Sequence, residues 1–401
     1  MGIGWDFVDR HATKTLATWA AFGCSVVLAA LLLYKMANRI EPWTFVVDVP
    51  QAPVRGDLEI QAQTITPPDE KDFVHGPSLI ETPTGLLAFW YRAVYEGAAN
   101  AELVSARFDG DHWSPTAVVT NSNTVTRDIG LTVKSLANPV PFRRSPNEIW
   151  LFFAASRLSG WATCEIVLIR SVDNGRTWSP AQRLYASPFL NMSHLTKSLP
   201  IRLSGDRIAL PAYHEMNRKY PVMLVLDRNG RVIDKLRMGN GGTVGYQPAI
   251  VATGPTTAIA FVRRLNSFRP QRILMSHTVD AGRTWTPPTP IDLPNPGGPI
   301  AAIRYDDTRI LLAFNDDPDH ESNVKLAFSN LDGTSLRRIG TVAQKNDRLE
   351  GDAVAYPFLI ESEPGQFDVV FSRPPPQHAI NHVRVSSAWI EHNLKISAAQ
   401  K

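Results

Sequence analysis

The sequence predicts an all-β fold, a six-bladed β-propeller, preceded by one N-terminal transmembrane helix. Three observations carry this expectation. A charge-free apolar run lies near the N-terminus, the remainder is rich in Pro, Gly and Trp but poor in charge, and an eight-residue pattern recurs at nearly constant spacing.

The apolar run is Thr15–Tyr34, TLATWAAFGCSVVLAALLLY, bracketed by Lys14 and Lys35. At about 1.5 Å per residue a helix of this length spans about 30 Å, the thickness of a bilayer core. It is longer than a signal-peptide core of roughly 7 to 15 residues, and Leu-Leu-Leu-Tyr-Lys at its end offers no small-residue cleavage site, so residues 15–35 read as a retained signal anchor. Arg10 and Lys14 before the run and Lys35 and Arg39 after it balance the positive-inside signal. Size therefore assigns the short segment 1–14 to the cytoplasm. The expectation is a single-pass protein of a bacterial inner membrane, with the propeller in the periplasm or outside the cell. Residues 36–70, carrying VVDVPQAPVRG and TITPPDE, read as a linker with a candidate first strand.

Beyond the linker, 31 Pro, 25 Gly, 10 Trp and 20% charged residues favour one large all-β unit, placed at 71–390 with a tail at 391–401. A net charge of +3 without a long basic run gives no footing for nucleic-acid binding. Cys24 and Cys164 are far apart and the first sits in the apolar run, so no disulfide is expected. No Cys/His cluster has zinc-site spacing, and neither a metal nor a cofactor is called for.

The repeat divides the large unit. Ser171-Val-Asp173-Asn-Gly175-Arg-Thr-Trp178 and Thr278-Val-Asp280-Ala-Gly282-Arg-Thr-Trp285 are near copies, S/T-x-D-x-G-x-T-W. This chemistry suits a tight hairpin turn: Asp bonds the turn backbone, Gly takes φ > 0, and Trp covers the base with apolar area. Weaker relatives centre on Asp109, Asp227 and Asp332, so that the five Asp positions recur every 52 to 64 residues. That period is one four-stranded blade. Strand-like runs such as EIWLFFAAS, RIALPAY, AIAFVRR, RILLAFN and FDVVFSR lie between the markers, bounded by turn residues. Five marked blades and one assembled from the N-terminal stretch and the C-terminal strands make six.

The two full copies resemble the Asp boxes of sialidases, and over nearly all of residues 71–390 the order of landmarks is similar to that of the bacterial neuraminidase-like repeat proteins. The landmarks are His75-Gly-Pro-Ser, Trp90-Tyr-Arg-Ala-Val-Tyr-Glu96, Asn138-Pro, Lys197-Ser-Leu-Pro, Pro211-Ala-Tyr213-His-Glu215, Tyr246-Gln247-Pro, Phe261-Val-Arg263, Asn295-Pro-Gly-Gly, Leu312-Ala-Phe-Asn315, Ala355-Tyr356-Pro and Ile380-Asn-His382. The Asp boxes themselves are structural. Propeller ligands bind at the axial end of the ring, so polar groups at equivalent blade positions are the candidates.

The polar residues before proline, Asn138, Gln247, Asn295 and Tyr356, are expected in extended geometry, either as plain turn residues or as groups delivered to one axial pocket. His75 is the candidate for acid/base work because imidazole titrates near neutrality, with Glu96 and Glu215 as assisting carboxylates. Tyr356 is a candidate nucleophile or proton donor, and Tyr213 a sugar-stacking ring. Lys197, Arg263 and Arg373 are candidates to hold a sugar carboxylate, Arg by its two-pronged geometry and Lys as a point charge; Asn315 and His382 complete the candidate binding set. The sequence departs from the resemblance in places. An N-terminal Arg-Ile-Pro motif is replaced by His75-Gly-Pro-Ser, Gln377 stands where the pattern has Arg, and Phe371-Ser-Arg373-Pro-Pro-Pro reads as an insertion. The resemblance implies a glycan-active protein acting on an acidic saccharide. Glycoside hydrolysis, polysaccharide elimination and non-catalytic binding all remain open at this stage.

Overall fold

The computed structural model describes residues 18–29, 41–50, 57–158, 160–239, 245–265 and 271–399. The chain divides into Met1–Trp43 and Thr44–Lys401. In the first part, residues 18–29 are helical, with Trp19 and Phe22 exposed. The flanks of the expected membrane span and the segment 1–14 lie outside the described residues. Among the described residues no helix is long and apolar enough to cross a membrane.

The second part is the expected propeller of six antiparallel sheets. Blade one runs outward from the axis through Phe73–Thr82, Gly85–Ala93, Glu102–Phe108 and Ala117–Asn121. Blades two, four, five and six begin with the inner strands Ser135–Arg143, Gly245–Ala252, Ala301–Arg304 and Ala355–Glu363. In blade three the inner strand is split into His194–Thr196 and Ile201–Leu203, both paired to Arg207–His214. Blade six draws its outermost strand from the other end of the chain: Ile60–Thr64 pairs antiparallel with Ala379–Ser386. This closes the ring by hydrogen bonds between strands distant in sequence and covers the edge that Ala379–Ser386 would otherwise leave open.

Because each sheet is covered on both faces, its strands read as continuous apolar runs. Ile149–Ser156 is buried at every position. The core lies between blades: Leu87, Phe89 and Leu103 of blade one pack with Leu151, Phe153 and Val167 of blade two, and Phe358 and Val370 of blade six pack with Leu79, Trp90 and Phe108 of blade one. The Asp boxes belong to this packing. Asp173 accepts from Ser171 Oγ at 2.7 Å, Thr177 N at 2.9 Å and Thr177 Oγ1 at 2.5 Å, and Asp280 repeats the set with Thr278 and Thr284. Gly175, at φ 79°, abuts the preceding blade so closely that a Cβ would lie 2.5 Å from Leu87 Cδ2. Trp178 meets Phe89 of that blade edge to face at 5.7 Å, and Trp285 Nε1 donates to Gly282 O. The helix Ser387–Ala399 crosses the boundary expected at 390; Glu391 on it accepts from Tyr305 OH at 3.1 Å and pairs with Arg309 at 2.8 Å.

One local expectation is corrected. Asn138, Gln247 and Tyr356 are not extended but left-handed, with φ of 50°, 50° and 57°. Each sits at a β-bulge, where register shifts between Ala137 and Val140, Tyr246 and Pro248, and Ala355 and Phe358. Blade one has the same device at Gly76-Pro77, with φ 64° and a shift between His75 and Ser78. A bulge adds one residue to an inner strand and re-aims its side chain, which here outweighs the usual preference of a residue before proline.

Candidate functional site

The bulges all lie at the start of the inner strands, at one end of the axis, and there they surround a cavity of about 180 Å³. Blade one contributes His75, Tyr91 and Glu96, blade two Asn138, blade three Tyr213 and Glu215, blade four Gln247 and Arg263, and blade six Tyr356. Besides Tyr91, which lies within the Trp90-to-Glu96 landmark, four further lining residues or neighbours were not singled out in the sequence. Tyr246 adjoins Gln247, and Lys219 stands one helical-turn spacing beyond Glu215, so both lay beside a recognised motif. Trp161 comes from a loop that carries no local signal. Glu321, on the blade-five loop before Asn323–Asn330, is identified by its electrostatic coupling to Arg263.

The centre of the site is Arg263. Its Nη1 donates to Gln247 Oε1 at 2.9 Å and to Tyr356 OH at 3.2 Å, while Gln247 Nε2 donates to Tyr213 OH at 3.2 Å. The guanidinium lies 4.9 Å from the centroid of Tyr246. Burial opposes its charge, but Tyr356, Tyr246 and Glu321 hold its pKa above the ordinary range. Its Nε is buried without a hydrogen-bond partner among the described residues. Glu215 is committed to an ion pair with Lys219. Glu96 and Glu321 have pKa values raised, first of all by burial, against the opposing pull of Arg263.

His75 is not poised near neutrality as the sequence suggested. Burial, with Lys197 and Arg263 nearby, lowers it to about 3, so the imidazole is neutral. Its Nδ1 is 2.9 Å from Ser372 Oγ and its ring 4.1 Å from that of Tyr356. Lys197 occupies the blade-three position equivalent to Asn138 but lies beneath the cavity. Its Nζ donates to Pro77 O at 3.3 Å and stands 5.7 Å and 5.0 Å from the ring centroids of Tyr356 and Phe358. Among the described residues no carboxylate pairs with it, and burial lowers this amine to about 7.

Four candidates are placed elsewhere. Asn295 is buried and caps its own turn by accepting from Gly297 N; the inner-strand position it was expected to fill falls at Gly298. Asn315 is buried, with Nδ2 donating to Asn323 O and Val354 O. Arg373 pairs with Asp352 at 2.9 Å. His382 bonds Asp368 at 2.6 Å and packs on Phe108 and Trp113, in the apolar layer between blades six and one. Polar type and position beside a motif could not reveal these assignments, because the partners come from the residue's own turn for Asn295, the neighbouring strand for His382, and other loops for Asn315 and Arg373.

A larger hollow of about 430 Å³ occupies the other end of the axis. Its cations are engaged with backbone carbonyls: Arg143 with Pro146 and Glu81, Arg202 with Arg144 and Arg143, and Arg304 with Ala252 and Thr253. These arginines stitch blades together rather than present charge to a ligand.

The BNR repeat-like domain family matches residues 84–369 of this chain. The chain belongs to that family. Among solved structures, a Dyadobacter fermentans protein of unknown function aligns with TM-score 0.65 and 16% identity over 82% of this chain and 99% of its own. The Hadza microbial sialidase Hz136 aligns with TM-score 0.65 and 16% identity over 82% of this chain and 69% of its own. A Trypanosoma rangeli sialidase in complex with sialic acid aligns with TM-score 0.63 and 11% identity over 85% of this chain and 60% of its own. This BNR repeat-like chain therefore shares the sialidase propeller fold. A comparison with curated proteins finds no match.

Proposed function

We propose that the axial site of this BNR repeat-like protein acts on an acidic saccharide as a glycoside hydrolase, with Arg263 holding the sugar carboxylate. One observation carries the reading. Arg263 is fixed in place by the Gln247 amide and the Tyr356 hydroxyl, and its Nε is left as an unpaired donor among the described residues. A buried, pre-positioned guanidinium with a donor to spare suits an anionic ligand that accepts two parallel hydrogen bonds. Around it stand the groups hydrolysis requires: carboxyls of raised pKa at Glu96 and Glu321, the Tyr356 hydroxyl, and ring faces at Tyr246 and Trp161 for a sugar to lie against. The sialic acid complex of the T. rangeli sialidase is consistent with a sugar acid as the ligand class.

A second reading, elimination at a uronate, is favoured by the Tyr356 hydroxyl, which stands 3.2 Å from Arg263 Nη1 and so beside the place proposed for the sugar carboxylate. Incubation with a panel of sialosides and uronate-containing polysaccharides separates the two readings. Reducing ends without new ultraviolet absorbance mean hydrolysis, both together mean elimination, and binding without turnover means a carbohydrate-binding protein. Arg263→Lys is expected to lower kcat/KM on the active substrate by about ten-fold or more, because a point charge replaces a two-pronged donor.

The charge-free run Thr15–Tyr34 supports anchoring of the protein in a bacterial inner membrane with the propeller on the far side from the cytoplasm. Digestion of the propeller by protease added to intact spheroplasts is the expected result; protection would sink this topology.

A further inference from the structure

Hydrogen bonding at the axis runs in one direction, and Arg263 sets it. A guanidinium has N–H donors and no acceptor, so a group bonded to it must offer an oxygen. Gln247 therefore turns Oε1 to Arg263 Nη1 at 2.9 Å, which leaves its Nε2 facing Tyr213 OH at 3.2 Å. The donor-only character of Arg263 thus removes the usual ambiguity between the two ends of an amide. Because Nε2 can only donate, the Tyr213 oxygen is the acceptor of that bond, and its one hydrogen is free to point elsewhere. The Tyr356 oxygen is fixed in the same sense, since it accepts from Arg263 Nη1 at 3.2 Å.

Tyr213 forms part of the cavity wall and is only 3% exposed. Its ring packs against Tyr246, with centroids 5.6 Å apart, and joins the apolar cluster of Ala154, Cys164 and Leu195. The hydroxyl rather than the ring face is therefore what it offers a ligand. Among the described residues nothing accepts the phenol hydrogen, and the nearby carboxylate of Glu215 is paired with Lys219. Burial holds the pKa of Tyr213 well above the ordinary phenol range, so that hydrogen is retained. The Nε hydrogen of Arg263 is likewise without an acceptor among the described residues. Two uncommitted donors, one of them on a cation, thus flank a single amide at the wall of the cavity.

We propose that the Tyr213 hydroxyl, turned by Gln247, donates to the sugar carboxylate and with Arg263 selects that carboxylate over the neutral amide of the same sugar. The proposal rests on the reading that Arg263 holds the carboxylate. A carboxylate carries lone pairs on both oxygens, so one oxygen can meet the guanidinium while the other takes the phenol hydrogen. A carboxamide has one accepting oxygen, and its NH2 would be turned on one of the two donors. The charge of the carboxylate also makes the phenol bond stronger than one to a sugar hydroxyl.

The test measures equilibrium binding to the full chain by ligand-observed NMR. The probes are free sialic acid and free glucuronic acid, each beside its carboxamide, with acetate and acetamide as the smallest pair. Wild type is expected to prefer the acid. Tyr213→Phe keeps the ring, and its folding is checked by its thermal transition. It is expected to lose about 10- to 100-fold in affinity for the acids and less than about three-fold for the carboxamides. Equal losses on acid and amide, or no loss on either, would overturn the donor role. Gln247→Glu is the second variant: the introduced carboxylate accepts from Arg263 and also takes the phenol hydrogen away from the cavity, so the preference for the acid is expected to disappear. An unchanged preference there overturns the proposal even if Tyr213→Phe does not fold. Arg263→Lys separates the two readings. Weaker binding of the acids by Arg263→Lys but not by Tyr213→Phe leaves the Arg263 reading standing without Tyr213, and a wild-type protein with no preference for the acid in any pair overturns both.

Discussion

Charge placement decides chemistry residue by residue at the axis. Three cations converge there with different fates: Lys219 is neutralised by Glu215, Arg263 keeps its charge among tyrosines and a carboxyl, and Lys197 is buried against aromatic faces without a counter-ion. Burial lowers Lys197 from 10.5 to about 7. Between those values the unfolded chain binds more protons than the folded one, so the contribution of Lys197 to stability rises with pH and is lost as pH falls through 7. Lys197→Met is therefore expected to stabilise the protein most below pH 7, with the advantage shrinking toward pH 10 at about 1.4 kcal/mol per pH unit as an upper limit, measured by urea unfolding across that range. His75 follows the same sign in a lower window. With its pKa lowered from 6.5 to about 3, its contribution is complete above 6.5 and lost as pH falls toward 3, so His75→Asn is expected to flatten the acid limb of the stability curve.

The strand and the turn are the next scale, and here the same few devices recur from blade to blade. The Asp-box turn combines an Asp that gathers turn donors with a left-handed Gly pressed on the preceding blade. At Gly282 a Cβ would lie 2.3 Å from Met223 Cε. Gly282→Ala combines positive-φ strain with this contact and is expected to cost about 1–3 kcal/mol, read as a lower Tm with the axial site unchanged. The inner-strand bulge is the second device, spending backbone strain at Asn138, Gln247 and Tyr356 to aim three side chains inward. In blade six, Asp368 is buried against His382, Arg384 and Ser362. Asp368→Asn leaves the half-buried Arg384 of this network without its counter-charge and is expected to cost about 3 kcal/mol. Strand and turn signals were legible because they are local: alternating turn residues and apolar runs announced nearly every blade. The bulges were not, since a residue before proline is locally biased to extended geometry and only the partner strand reveals the extra residue.

On the scale of the whole ring, closure depends on five residues far from the strands they join. Ile60–Thr64 completes the sheet of Ala355–Glu363, Gln366–Arg373 and Ala379–Ser386. Removal of residues through Thr64 is expected to expose the edge of Ala379–Ser386 and lower Tm sharply, whereas a chain beginning at Thr44 retains every strand of the ring; thermal melts of the two fragments distinguish the cases. The count of six followed from sequence alone, because a repeat near 50 residues fixes the unit and five marked blades leave the N-terminal stretch and the C-terminal strands to make the sixth; that the N-terminal stretch supplies its outermost strand is seen in the structure. The sequence likewise named His75, Asn138, Gln247 and Tyr356, which lie at or beside equivalent inner-strand positions, and Arg263, which lies in a motif on the next strand of blade four. It misplaced Arg373 and His382 and passed over Glu321. Each of those has its state set by partners from other segments: Asp352 for Arg373, Asp368 for His382, and Arg263 with Glu96 for Glu321. Repeat period and turn chemistry are properties of neighbours along the chain and so are written in it. Which charge is paired, which carboxyl is buried and which side chain reaches the axis depend on distances between blades, and only the tertiary structure decides those.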